Sequence, residues 1–89
     1  MYRYEDEKPK LLTDEGQRLF LKFRDDAIDV LGIAGAFRFD AISKRSHYVM
    51  DDWLRLACVD RMIELGELRD VTPPGTVGQH RIFISNRSK

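Results

Sequence analysis

Cysteine, net charge and long apolar runs are all scarce in this chain of 89 residues. Cys58 is its one cysteine, which excludes an internal disulfide and a cysteine-ligated zinc cage. Because Cys58 lies in an apolar run, we expect a buried thiol and a reducing compartment. Fifteen Lys and Arg balance fifteen Asp and Glu, so the formal net charge is +0. Nucleic acid or anionic lipid would therefore have to bind at a local patch.

Targeting and membrane signals are also missing from the sequence. No stretch approaches about 18 uninterrupted apolar residues, and residues 1–6 lack the apolar segment of a signal peptide. We therefore expect a cytoplasmic protein that does not enter membranes. The length suits one domain, and a hydrophobic fraction of 43% is enough for a core.

The histidines and the paired carboxylates of the chain do not have the spacing that catalysis or metal binding requires. His47 and His80 are the two histidines, and neither has the cysteine or carboxylate spacing of a metal site. The adjacent aspartates at 25–26 and 51–52 would point about 100° apart on helices, so neither pair converges for acid–base chemistry. We therefore expect no enzyme activity, no metal, no cofactor and no small-molecule substrate.

The first half of the chain carries the signals of an arm, a long helix and two short elements. Residues 1–12 mix tyrosines, charges and a proline without a sustained period, which predicts a flexible arm. Thr13, followed by two acids, predicts the N-cap of a helix. A short strand is predicted over 36–39, and a brief helix over 41–45.

The second half carries the strongest helical pattern and a terminal hairpin. The pattern runs over residues 50–65 and is followed by Gly66 at the expected helix end. Residues 68–71 and 79–85 read as strands on either side of a loop rich in proline and glycine. The sequence therefore predicts an α+β domain over residues 13–85, followed by a basic tail at 86–89.

The order of these elements, from the first helix to the hairpin, resembles the winged helix variant of the helix-turn-helix family. The most family-like stretch is MIELGELRDV at 62–71, followed by the Pro/Gly loop and HRIFI at 80–84. The resemblance implies a small winged-helix domain with three helices and a C-terminal β-hairpin wing. It also implies that the third helix enters a DNA major groove and that the wing touches the DNA backbone or minor groove.

On this basis the basic and polar side chains of the turn, the third helix and the wing are expected to bind double-stranded DNA. The candidate DNA-binding residues are Lys44, Arg45, Ser46, His47, Tyr48, Arg55, Gln79, His80 and Arg81. Asp51 and Asp52 depart from the pattern, because they lie where the helix would approach phosphates. The predicted function is control of transcription or replication in a bacterium or mobile element, by a protein that acts as a dimer.

The alternative is a phage-type winged-helix adaptor or inhibitor that binds a host protein complex without reading DNA. It is favoured by the zero net charge and by apolar residues around most of the third helix. In this case Leu56, Val59 and Ile63 are expected to form an exposed protein-binding strip. Exposure of that strip would favour a protein partner, whereas a solvated polar third helix would favour DNA.

Overall fold

A computed structural model describes residues 2–45, 50–76 and 80–86 as a small α+β domain with a three-stranded antiparallel sheet. The predicted site residues Ser46, His47, Tyr48 and Gln79 lie outside these ranges. From the second helix onward, the elements follow the predicted order. In chain order they are α1 (Tyr4–Leu11), α2 (Asp14–Ala34), β1 (Ala36–Arg38), α3 (Phe39–Arg45), α4 (Asp52–Glu64), β2 (Leu68–Asp70) and β3 (Ile82–Ser85).

The N-terminal segment is a helix packed against α4, so the prediction of a flexible arm over residues 1–12 is wrong. The Tyr2 hydroxyl donates to Asp60 at 2.6 Å, and the Tyr4 hydroxyl donates to Glu64 at 2.7 Å. Lys8 donates to the other oxygen of Glu64 at 2.8 Å. These partners are 56 to 60 positions away along the chain, so no local pattern signals them.

The corner between α1 and α2 depends on a glycine. The Thr13 hydroxyl accepts a hydrogen bond from the Gly16 amide at 3.0 Å, which confirms the predicted N-cap. A Cβ on Gly16 would lie 2.2 Å from the carbonyl oxygen of Lys10 and 2.5 Å from that of Leu11. Residue 16 must therefore lack a side chain for α1 to fold back over the start of α2.

The boundaries of α4 follow the local signals in the sequence. The Asp51 carboxylate accepts from the Leu54 amide at 2.8 Å and caps the first turn. Gly66 has a φ of 81°, the left-handed conformation that ends many helices and that glycine adopts without strain. The helix therefore begins at Asp52, two positions after the predicted start, and ends at Glu64, one position before the predicted end, while Gly66 follows it as predicted.

The sheet places β3 between β1 and β2. Phe37 of β1 pairs with Phe83 of β3, and their ring centroids are 5.5 Å apart. On the other side, β2 and β3 form the predicted antiparallel pair, with Leu68 opposite Ser85. The apolar core beneath the sheet consists of Leu11, Leu19, Phe20, Phe23, Ala27, Phe37, Phe39, Ile42, Met50, Leu56, Ala57, Cys58, Val59, Met62, Leu68 and Phe83.

The apolar strip expected to bind a partner belongs instead to this core. Leu56 and Val59 are buried, and Ile63 is partly buried against the same cluster. The prediction that these three residues form an exposed interface is therefore wrong. A helix that is apolar on most sides is normally a buried one, and α4 buries its apolar sides against α1, α2 and the sheet of its own chain.

We expect Gly16→Ala to destabilise the protein by about 1–3 kcal/mol or more, because the added methyl group meets backbone atoms that cannot rotate away. Gly32→Ala is the matched control within the same helix, since a Cβ there meets nothing within 4 Å. That change should stabilise the protein by about 0.5–1 kcal/mol through helix propensity. The free energy of unfolding of both variants, measured in urea, tests the packing of α1 against the start of α2. Equal changes in the two variants would contradict this packing.

Candidate functional site

The polar side of α4, which a DNA-reading helix would present to a groove, is largely covered by α1. Positions 53, 57, 60, 61 and 64 share this side at about 100° per residue. Asp60 and Glu64 are bound by side chains of the N-terminal segment. Arg61 forms an ion pair with Glu64 at 2.7 Å. Most of this side is therefore occupied within the chain.

The first turn of α4 remains exposed, and its chemistry is acidic and aromatic. Asp51, Asp52 and Trp53 are all exposed, and Trp53 retains 47% of its surface. In helix-turn-helix proteins, the N-terminal residues of the recognition helix contact base edges. Two carboxylates at that position would repel phosphates. We call residues 51–53 the acidic turn.

Arg81, a predicted DNA contact at the wing, is bound within the fold. Its guanidinium lies 2.9 Å from Asp60 of α4 and 2.9 Å from Asp70 of β2. It also stacks 5.0 Å from the ring centroid of Phe83. Burial raises the pKa of Asp70, but hydrogen bonds from Thr72 and Arg81 outweigh it and lower that pKa overall. The side chain of Arg81 is only 18% exposed, so its charge is committed to these contacts.

Arg55 is another predicted DNA contact that faces its own chain. Its guanidinium pairs with Asp52 at 3.0 Å, and the side chain is 12% exposed. Asp52 also accepts a hydrogen bond from Ser43 of α3 at 3.3 Å. Arg55 therefore helps to join α3 to the start of α4.

Lys44 and His80 are brought to the same part of the surface by Asp40. Asp40 lies 2.8 Å from Arg38 and 3.8 Å from His80. Burial raises the pKa of Asp40, but the hydrogen bond from Arg38 and the charges of His80 and Lys44 lower it overall. We call these four residues the Asp40 cluster. Arg45 ends α3 one position after Lys44. Arg38 was not among the predicted DNA-binding residues. The alternation of the predicted strand places it on the exposed side, and this pattern could have identified it.

A groove lined by polar, glycine and apolar residues runs beside α2. The sequence did not lead us to predict it. Leu21 and Ile28 are exposed, lie seven residues apart and therefore share one side of the helix. Arg24 bonds Glu67 at 2.6 Å and 2.8 Å across this side. The groove has a volume of about 520 Å³ and is lined by Arg24, Ile28, Leu31, Gly32, Met62, Gly66, Glu67, Ser85 and Asn86. We call this groove, together with Leu21, the α2 groove. The spacing of Leu21 and Ile28 was the signal that could have revealed it.

The described parts of the chain have neither a metal-binding cluster nor a membrane-spanning helix. Within residues 2–45, 50–76 and 80–86, no group of three or more His, Cys, Asp or Glu side chains could hold a metal ion. Over the same ranges, no helix has the length and apolarity needed to cross a membrane.

The docking of α1 should weaken in acid because it depends on an ionised Glu64. Hydrogen bonds from Lys8, Tyr4 and Arg61 lower the pKa of Glu64 to about 2. Its contribution to stability is therefore complete above the unfolded pKa of about 4.3 and is lost as the pH falls towards 2. The protection factors of the amides in residues 4–11, which correct hydrogen exchange for its intrinsic pH dependence, should fall over this range.

Glu64→Gln should lower those protection factors already at neutral pH and reduce their pH dependence. Glu15→Gln is the matched control, because Glu15 pairs with Arg18 inside α2. Unchanged exchange in Glu64→Gln would contradict a docking role for this carboxylate.

Comparisons with protein-family models, with curated proteins and with solved structures found no match to this chain.

Proposed function

We propose that this chain is a winged-helix domain that acts as a protein-binding adaptor, with no catalytic activity and no cofactor. The order of elements from α2 to β3 and the terminal β2–β3 pair support the winged-helix assignment. The adaptor role rests on the residues that this arrangement leaves exposed.

The acidic turn is the observation that carries the proposal. A reader of DNA would place base-contacting donors at the start of α4, and this chain places Asp51, Asp52 and an exposed Trp53 there. Tryptophan is enriched among the residues that dominate binding energy at protein interfaces. The exposed carboxylates of Asp51 and Asp52 favour a partner with a basic surface, and such a partner would share Asp52 with Arg55. We therefore propose that the acidic turn anchors a basic protein partner.

The pairing of cations within the chain also supports a protein partner. Affinity for DNA comes mainly from Lys and Arg side chains that neutralise phosphates and release counterions. Arg55 and Arg81 are instead paired with aspartates of this chain. To bind phosphate, both arginines would have to break these ion pairs. The energy of the broken ion pairs would reduce the affinity of the chain for DNA.

A second candidate function, DNA binding, is favoured by the Asp40 cluster. Lys44 and His80, two of the predicted DNA contacts, meet there beside Arg38. With Arg45 next in sequence, the cluster could neutralise about three phosphates. Contacts of this kind position a protein on a duplex and carry no sequence information of their own. This candidate is therefore a non-specific DNA-binding protein or one that relies on further contacts.

Fluorescence anisotropy of a labelled random duplex tests the second candidate directly. We expect little or no binding at about 50 mM salt, a condition that favours phosphate contacts. Binding through about three phosphates would instead weaken about 40-fold between 50 and 200 mM salt. If Lys44→Ala/Arg45→Ala removed such binding while Lys22→Ala preserved it, the DNA-binding function would replace the adaptor proposal.

Affinity capture from the source cells tests the acidic turn. We expect Trp53→Ala and Asp52→Asn each to lose a protein that the wild-type chain retains, with about tenfold or greater loss of affinity for a hot-spot side chain. Ile33→Ala is the matched control. Ile33 is an exposed apolar residue like Trp53, with 79% of its surface exposed, but it lies at the C-terminal end of α2 and outside the acidic turn. If both acidic-turn variants still captured that protein with the affinity of the wild type, the proposal would be contradicted.

Trp53 is the single tryptophan of the chain and therefore gives a second measurement. Its fluorescence emission should shift to shorter wavelength when a captured partner is added, because binding removes the indole from water. An emission spectrum that does not change in a confirmed complex would place the partner elsewhere on the domain.

A further inference from the structure

We propose that the face of the sheet that points away from the core binds an amphipathic helix of a partner protein, with Asp or Glu on the flanks of that helix. The inference goes beyond the adaptor role, because it assigns a second surface whose charge is opposite to that of the acidic turn. It rests on the apolar centre of this face, on an arginine without a partner in the chain and on the width of the sheet.

The sheet has one buried face and one face that is open to solvent. Side chains alternate between the two faces of a strand, and directly paired residues share a face. Phe37, Leu68 and Phe83 are buried in the core. The positions between them point away from the core and are exposed or partly exposed. We call these positions the outer sheet face, which consists of Ala36, Arg38, Arg69, Val71, Ile82 and Ile84.

The centre of the outer sheet face is apolar. Ile82 and Ile84 lie on the central strand β3 and are partly exposed. Val71 is 39% exposed, and its amide donates to the Ile82 carbonyl at 3.0 Å. A strand with one solvated face normally carries polar residues on that face, whereas β3 carries isoleucine at both positions. A contiguous apolar patch with a polar rim is typical of an interaction site.

The rim of this face is cationic. Arg69 of β2 lies opposite Ile84, and Arg38 of β1 lies opposite Ile82. Arg69 is exposed, and its side chain has no ion pair or hydrogen bond with any residue that the structure describes. Arg38 is already paired with Asp40 at 2.8 Å, so its contribution is smaller. None of the six positions of the outer sheet face is acidic. Charge complementarity therefore favours a partner with carboxylates, bound mainly by Arg69.

The width of the outer sheet face suits one helix. Neighbouring strands lie about 4.8 Å apart, so β1 and β2 are separated by about 10 Å. This is about the diameter of a helix with its side chains. A helix along β3 would place its apolar stripe on Ile82 and Ile84. Carboxylates on its two flanks would then lie beside Arg38 and Arg69. The contact area is small, so we expect weak binding.

The same face is poorly suited to single-stranded nucleic acid. Arg69 would attract a phosphate as well as a carboxylate, so the apolar centre of the face decides between the two partners. Sheets that bind single strands stack the bases on aromatic side chains. The outer sheet face carries no aromatic residue. Its aliphatic side chains instead suit the aliphatic stripe of a helix.

Fluorescence anisotropy with a synthetic peptide tests the proposal first. The probe is a labelled helical peptide of about 14 residues, or about four turns, with leucine on one side and glutamate on both flanks. We expect a Kd of the order of 100 µM at about 50 mM salt, as for other small interfaces. Failure of this glutamate peptide to bind at about 1 mM would overturn the proposal.

Substitutions on the outer sheet face should weaken binding of the glutamate peptide. Arg69→Ala should weaken it about fivefold, because the exposed ion pair is lost. Ile84→Thr should also weaken it, and threonine keeps the branched shape that strands favour. Lys22→Ala is the matched control, because Lys22 is another exposed cation and lies on α2. Equal weakening by Lys22→Ala and Arg69→Ala would indicate a general charge effect and would overturn the proposal.

Backbone amide chemical shifts of the wild-type protein locate the peptide without any substitution. The amides of residues 36–38, 69–71 and 82–84 should shift most when the glutamate peptide is added. Largest shifts elsewhere would overturn the assignment to the sheet. If an oligothymidine moved the same amides at lower concentration than the peptide, single-stranded nucleic acid would replace the helix as the occupant.

This proposal and the adaptor proposal fail separately. The acidic turn is expected to bind basic groups, so Trp53→Ala should leave binding of the glutamate peptide unchanged. Arg69→Ala should likewise leave capture of the acidic turn's partner unchanged. Loss of glutamate-peptide binding in Trp53→Ala would place the peptide at the start of α4 and would overturn the outer sheet face as its site.

Discussion

The guanidinium of Arg81 connects α4 to the sheet. It pairs with Asp60 of α4 and Asp70 of β2, and its plane lies over the ring of Phe83 in β3. Asp60 in turn accepts the hydroxyl of Tyr2, so the network reaches the N-terminal segment. In a partly buried site, loss of one charged partner leaves the other charges uncompensated. The position of α4 between α1 and the sheet depends on this network.

The packing of α1 against α4 makes this helix poorly suited to read DNA. A helix that reads DNA must expose one long polar side, and here that side binds α1 through Asp60 and Glu64. The first turn of α4 keeps Asp52 and Trp53 exposed and can meet a large partner. This is the physical reason for preferring a protein partner over DNA.

From α2 onward, local signals in the sequence determined the helix ends to within two residues and the order of elements. Thr13 and Asp51 cap helices through amides three residues away, and Gly66 ends α4 through its own backbone conformation. Interactions over so few residues can be identified without the fold. The residues that form the Asp40 cluster could also be named in part, because Lys44 and His80 lie at predicted element ends.

Tertiary structure alone decided which of these side chains are available. Arg81 and Tyr2 bind carboxylates 21 and 58 positions away, and Val59 is buried in α4, which packs against α1, α2 and β2. A sequence pattern records the charge and the period of a residue, but it does not record the distant group that neutralises or covers it. The sequence thus determined where the helices and strands form from α2 onward, whereas packing between distant segments decided that α1 covers α4 and that the acidic turn remains exposed.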